Sequence, residues 1–134
     1  MDPVSAIADK LAEHAILNWT KGDRWIRVDA PHSGGFAVEL RWEGDEWTVY
    51  LGSGGWHQHF DEATEALNLV AWCYSGNARI REIYRGHVLQ KSILEALEGE
   101  SWNRISETGY FAPFWHKRSE VVFQNPNLLS AEQD

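Results

Sequence analysis

The chain has 134 residues and a mass of 15.4 kDa, with 43% hydrophobic residues, 24% charged residues and eight tryptophans, which excludes a disordered body and predicts one packed core. Twenty acidic residues against twelve basic ones give a net charge of -8, arguing against general affinity for nucleic-acid phosphates or anionic membrane surfaces. Cys73 is the single cysteine, so no intramolecular disulfide framework is available. A reducing, cytoplasmic setting is expected, since residues 1–4 carry no leader pattern and the apolar run 69–74 is too short to span a bilayer.

In chain order, Asp2 as N-cap and Pro3 at the first helical position place Val4, Ile7, Ala8, Leu11 and Ala15 on one face, predicting an amphipathic helix that stops at Gly22. Residues 25–29 alternate as a strand. The turn 31–35 leads into Phe36, Val38, Leu40 and Trp42 on one strand face, and Glu43-Gly44-Asp45 returns the chain through Trp47, Val49 and Leu51 as a hairpin. The glycine-rich stretch 52–55 breaks this strand, and Trp56-His57-Gln58-His59-Phe60 leads to Asp61, a favoured N-cap. A helix follows with Ala63, Ala66, Leu67, Val70 and Tyr74 on one face. Leu69, Trp72 and Cys73 widen that face, which predicts a buried helix ending at Ser75-Gly76-Asn77.

Residues 78–85 alternate as a strand that Gly86 ends. Residues 88–97 fit either a helix or a strand by periodicity. The pattern Glu-Gly-acid-x-Trp at 43–47 recurs at 98–102, and the echo predicts a second hairpin there. The Pro113-Phe114-Trp115 loop then leads to a last strand over 120–124. The whole is an α+β arrangement, one antiparallel sheet of about five to seven strands with two helices on one face, forming a single domain over 1–124 with a mobile tail at 125–134.

Three constellations carry chemistry. His57 and His59 project to one side of an extended segment, and Asp61 extends them to metal-ligand spacing. These three residues resemble the opening metal motif of metallo-β-lactamase-like hydrolases. Glu62 stands where that motif has a further histidine, and the chain is too short for the four-layer fold, so the family's activity is not carried over. The reading set beside it has Asp61 as a helix cap, with Trp56 and Phe60 anchoring the turn. Arg79, Arg81 and Arg85 share a strand face that suits an oxyanion, or else a solvated face balanced by neighbouring glutamates.

The third constellation is acidic. Glu43, Asp45 and Glu46 mark one hairpin tip, Glu95, Glu98 and Glu100 the other, and Asp61, Glu62 and Glu65 the start of the second helix. Such carboxylates serve solubility and the helix dipole, or they form a docking surface for a basic partner with Trp42, Trp47, Trp102 and Trp115 as anchors.

A small acidic α+β chain rich in tryptophan and lacking a catalytic signature resembles the immunity proteins that bacteria pair with secreted toxins. Gly55-Trp56-His57-x-His59-Phe60-Asp61 with Pro113-Phe114-Trp115 is also similar to a pattern in single-domain bacterial proteins of unassigned activity. The resemblance implies a non-enzymatic, stoichiometric inhibitor of a basic toxin. Its partner surface would comprise Glu43, Asp45, Glu46, Trp47, Glu98, Glu100, Trp102 and Trp115, with no cofactor, no nucleic acid and no membrane. The expected state is monomer or weak homodimer. The alternative is a metal- or small-ligand-binding domain, with zinc on His57, His59 and Asp61 and a hydrolytic role. A third reading is a homo-oligomeric structural module that associates through exposed tryptophans.

Overall fold

A computed structural model of the chain describes residues 3–14, 17–52 and 55–128. Helix α1 (Pro3–Leu11) is followed by five strands, β1 (Trp19–Lys21), β2 (Trp25–Val28), β3 (Val38–Glu43), β4 (Glu46–Leu51) and β5 (Trp56–Phe60). After helix α2 (Ala63–Trp72) come β6 (Ala78–Arg85), β7 (Val88–Glu98), β8 (Ser101–Gly109) and β9 (Arg118–Phe123).

The expected single sheet is corrected to two. β1–β5 form an antiparallel meander in sequence order, sheet A, while the others form sheet B in the order β8-β7-β6-β9. The division falls at helix α2: the chain leaves the meander at Phe60, and β6 pairs with β7 and β9 rather than with β5. Sheet B is a Greek key: two hairpins lay down β6, β7 and β8, and the connection 110–117 crosses back so that β9 pairs beside β6.

Three two-residue turns set the hairpins. Gly44, Gly86 and Gly99 open them with φ of 67°, 60° and 66°, the left-handed value a type II′ connection asks of its first residue. The Glu-Gly-acid-x-Trp echo thus marks two true hairpins. Gly86, read only as a strand end, turns a third.

Both helices contact sheet A, and one apolar cluster runs from Val4, Ile7 and Leu11 through Ile26, Leu40 and Val49 to Ile80 and Leu94 of sheet B. Trp56 is wholly buried, and its indole N–H donates to Ser106 Oγ at 3.1 Å, joining β5 to β8. Two helical expectations are corrected. Helix α1 ends at Leu11, where the amides of Glu13 and His14 reach back only three residues; Trp19 and Thr20 then enter a strand. Gly22 instead lies in the β1–β2 turn, where a Cβ would collide with the Trp25 indole. Helix α2 is half-buried rather than buried: Ala66 and Val70 face the core, while Thr64, Glu65, Asn68 and Ala71 are exposed. Asp2 and Ala15 lie outside the described residues.

Beyond β9 the backbone is stitched to the body. The amide of Gln124 donates to Gly34 O, Phe36 N–H donates to the buried Asn125 side chain at 2.8 Å, and the Leu128 amide donates to Tyr74 O. Residues 129–134 lie outside the described residues. No helix among the described residues is long and apolar enough to cross a membrane.

Candidate interaction surfaces

The pairing of β4 with β5 brings two of the three acidic clusters to one end of sheet A. Trp47 stands opposite Phe60, so the β3–β4 tip with Glu43, Asp45 and Glu46 adjoins the segment Asp61-Glu62 that opens α2. Glu62 is the N-cap residue, without a side-chain capping bond, which corrects the capping role expected of Asp61. Trp42 stacks on Trp47 with ring centroids 5.3 Å apart and 15° between planes. Trp47 is buried, whereas Trp42 is 39% exposed and carries the Arg24 guanidinium 4.0 Å above its ring. The accessible anchor at this tip is therefore Trp42.

On the outer face of sheet A, His57 and His59 lie side by side, ring centroids 5.9 Å apart. His59 Nδ1 is 2.8 Å from the Thr48 hydroxyl and 3.5 Å from a Glu46 carboxylate oxygen, while His57 packs against Tyr50. Tyr50 donates to Glu43 at 2.9 Å, and burial first, then this bond, raises its phenol above the usual value. Glu39 accepts from Arg41, which raises the guanidinium's pKa, and lies 3.5 Å from Arg27 Nη1. Among the described residues no three histidine, cysteine or acidic side chains are placed to hold a metal ion. The two imidazoles share a face as their spacing predicts, but Asp61 lies beyond the strand end.

The outer face of sheet B answers the arginine question. Glu95 is buried and accepts from Arg79 Nε at 2.6 Å and Arg81 Nη2 at 2.7 Å; Arg81 also reaches Glu120 at 3.1 Å. The guanidinium of Arg79 lies 4.3 Å over the Trp102 ring. Trp102 is half-buried beneath a cation rather than free, and Glu95 belongs to this network and not to the β7–β8 tip. Glu98 and Glu100 remain exposed at that tip, on the other sheet from Glu43, Asp45 and Glu46.

The connection 110–117 holds the most exposed aromatic residues described. Phe111 is 89%, Phe114 75% and Trp115 68% exposed, with Phe114 and Trp115 edge to face at 5.2 Å. Trp115 was singled out by the sequence; Phe111 was not. Its signal is a run of aromatics that fits neither strand alternation nor a helical period. The loop is fastened at both ends, where Tyr110 OH donates to Gly55 O and the Gly86 amide donates to Lys117 O at 2.8 Å.

Comparison with known proteins finds no matching family model, no matching curated protein and no matching solved structure.

Proposed function

We propose that the chain is a non-enzymatic protein-binding domain that engages a basic protein through the acidic end of sheet A, acting as a stoichiometric inhibitor of the immunity type. The observation that carries this reading is the meeting of two acidic clusters beside the Trp42–Trp47 stack. Carboxylates at that density raise the encounter rate of a cationic partner. Trp42, held between Arg24 and Trp47, supplies a pre-ordered aromatic anchor whose immobilisation costs little on binding. Of the partner residues expected from sequence, Glu43, Asp45 and Glu46 belong to this surface, with Trp47 as its support. Glu98, Glu100, Trp102 and Trp115 lie on sheet B or its connection.

The test is affinity capture from the source lysate with the wild-type chain and with a Glu43→Lys/Asp45→Lys/Glu46→Lys variant, each washed at low and high salt. A basic protein held by the wild type at low salt, depleted at high salt and missing from the variant is the expected result. Equal capture by the two chains would refute the reading.

A further inference from the structure

The charge of the molecule is unevenly distributed. Residues 1–77 hold twelve of the twenty acidic side chains and only five of the twelve basic ones, whereas residues 78–128 hold seven basic and six acidic. The asymmetry sharpens at the turn end of sheet B. Over 84–91 and 109–119, which the β6–β9 pairing and the Gly86–Lys117 bond bring together, there are four cations, Arg85, Lys91, Lys117 and Arg118, two histidines and no carboxylate.

Strand register makes this cluster costlier still. Arg85 of β6 stands directly opposite Arg118 of β9, and like charges in that position are unfavourable unless an anion is shared. Arg118 lies 3.5 Å from Glu120, a carboxylate already engaged by Arg81, and Arg85 donates to the neutral Gln90 side chain. Beside these cations project Phe111, Phe114 and Trp115. The groove of about 310 Å³ between α1 and α2 and that of about 300 Å³ beside the β2–β3 connection are both lined by other residues, so neither belongs to this aromatic tip.

We propose that the connection 110–117, with Arg85, Lys117 and Arg118, docks on an anionic lipid surface, the three aromatic rings entering the headgroup region while the cations meet acidic lipids. Stable attachment to a bilayer takes two weak signals, an apolar one and a cationic one, and this end of the molecule supplies both. Tryptophan and its aromatic neighbours favour the interface, where a ring is part wet and part apolar. Whole-chain acidity opposes membranes only as an average, because charges more than about 10 Å from the surface are screened at ordinary salt. Tyr110 bonds Gly55 at the start of β5, while Asp61 and Glu62 follow its other end, so the length of β5 separates the two. Docking by the loop thus leaves the acidic end free for its protein partner, and the two readings stand or fall separately.

Flotation with vesicles of phosphatidylcholine alone and of a phosphatidylcholine–phosphatidylserine mixture tests this with the full chain. The wild type is expected to float with the mixed vesicles, about tenfold less with the neutral ones, and to be released by high salt. A Phe111→Ser/Phe114→Ser/Trp115→Ser variant and a Lys117→Glu/Arg118→Glu variant should each lose at least about tenfold in vesicle affinity. All these side chains are exposed, so thermal unfolding should remain cooperative, which separates lost docking from lost folding. No flotation of wild type at low salt overturns the proposal. So does flotation unchanged in both variants. Retention of soluble poly-glutamate in place of vesicles would also overturn it, assigning the loop to an acidic protein.

Discussion

Glu95 shows how a single side chain can hold a charged sheet face together. Its carboxylate is almost sealed from water, yet it carries two guanidinium contacts, and Arg79 and Arg81 keep partial access to solvent. Glu95→Ala would take this acceptor from Arg79 and leave Arg81 with Glu120 alone. The expected loss is about 2–4 kcal/mol in denaturant unfolding, at the lower end for a broken buried pair because the arginines can rehydrate. Cys73 and Tyr74 act through protons instead. Burial pushes the thiol and the phenol far above their ordinary values, with the neighbouring Cys73 adding to the shift of Tyr74. The folded state therefore favours the protonated forms. Their contribution to stability is complete below about pH 8.5, where the unfolded thiol is still protonated, and falls as pH rises above it, with Tyr74 adding to the loss above about pH 10. Unfolding curves taken from neutral pH upward should show this decline, and Cys73→Ala should remove its first part. The same burial predicts that Cys73 resists thiol reagents until the chain unfolds.

Among the elements, the hairpins were the most legible in the sequence, because a two-residue turn depends on a glycine that strand alternation brackets on both sides. At Gly44 and Gly99 a Cβ would meet nothing within 4 Å, so a substitution there reports backbone strain alone. Gly44→Ala and Gly44→Asn are each expected to cost about 1–2 kcal/mol by the same unfolding measurement, because the first position of a type II′ turn asks for glycine. A Gly44→Ala variant as stable as the wild type would remove the positive-φ turn from the account. The division into two sheets was not legible. A strand of either sheet shows the same period of two, and the information that β6 turns from β5 to β9 lies in pairings more than thirty residues apart. The early stop of α1 was hidden as well, since Ala12, Ala15 and Ile16 continue the helical sequence pattern beyond Leu11, where the helix ends before Trp19 and Thr20 pair with β2.

At the scale of the whole molecule, the sequence supplied the residues of the acidic surface but not their grouping. Clusters at 43–46 and 61–65 became neighbours through the β4–β5 register, while 98–100 went to the other sheet. The tryptophan count pointed to anchors. Only the fold distinguishes Trp42, which is accessible, from Trp47 and Trp56, which are buried, and from Trp102 beneath Arg79. The histidine pair kept the common face its spacing implies, and the strand end left Asp61 apart from it. The outcome is a molecule with an acidic end on sheet A and an aromatic, cationic end on sheet B. The central claim is that the acidic end steers a basic protein onto the chain. The most direct test is the association rate of the captured partner, measured against ionic strength for the wild type and for Glu43→Lys/Asp45→Lys/Glu46→Lys. The account predicts a wild-type rate that falls steeply with salt, and a variant rate at least about tenfold lower at low salt and nearly flat. Rates that coincide at every ionic strength would contradict it.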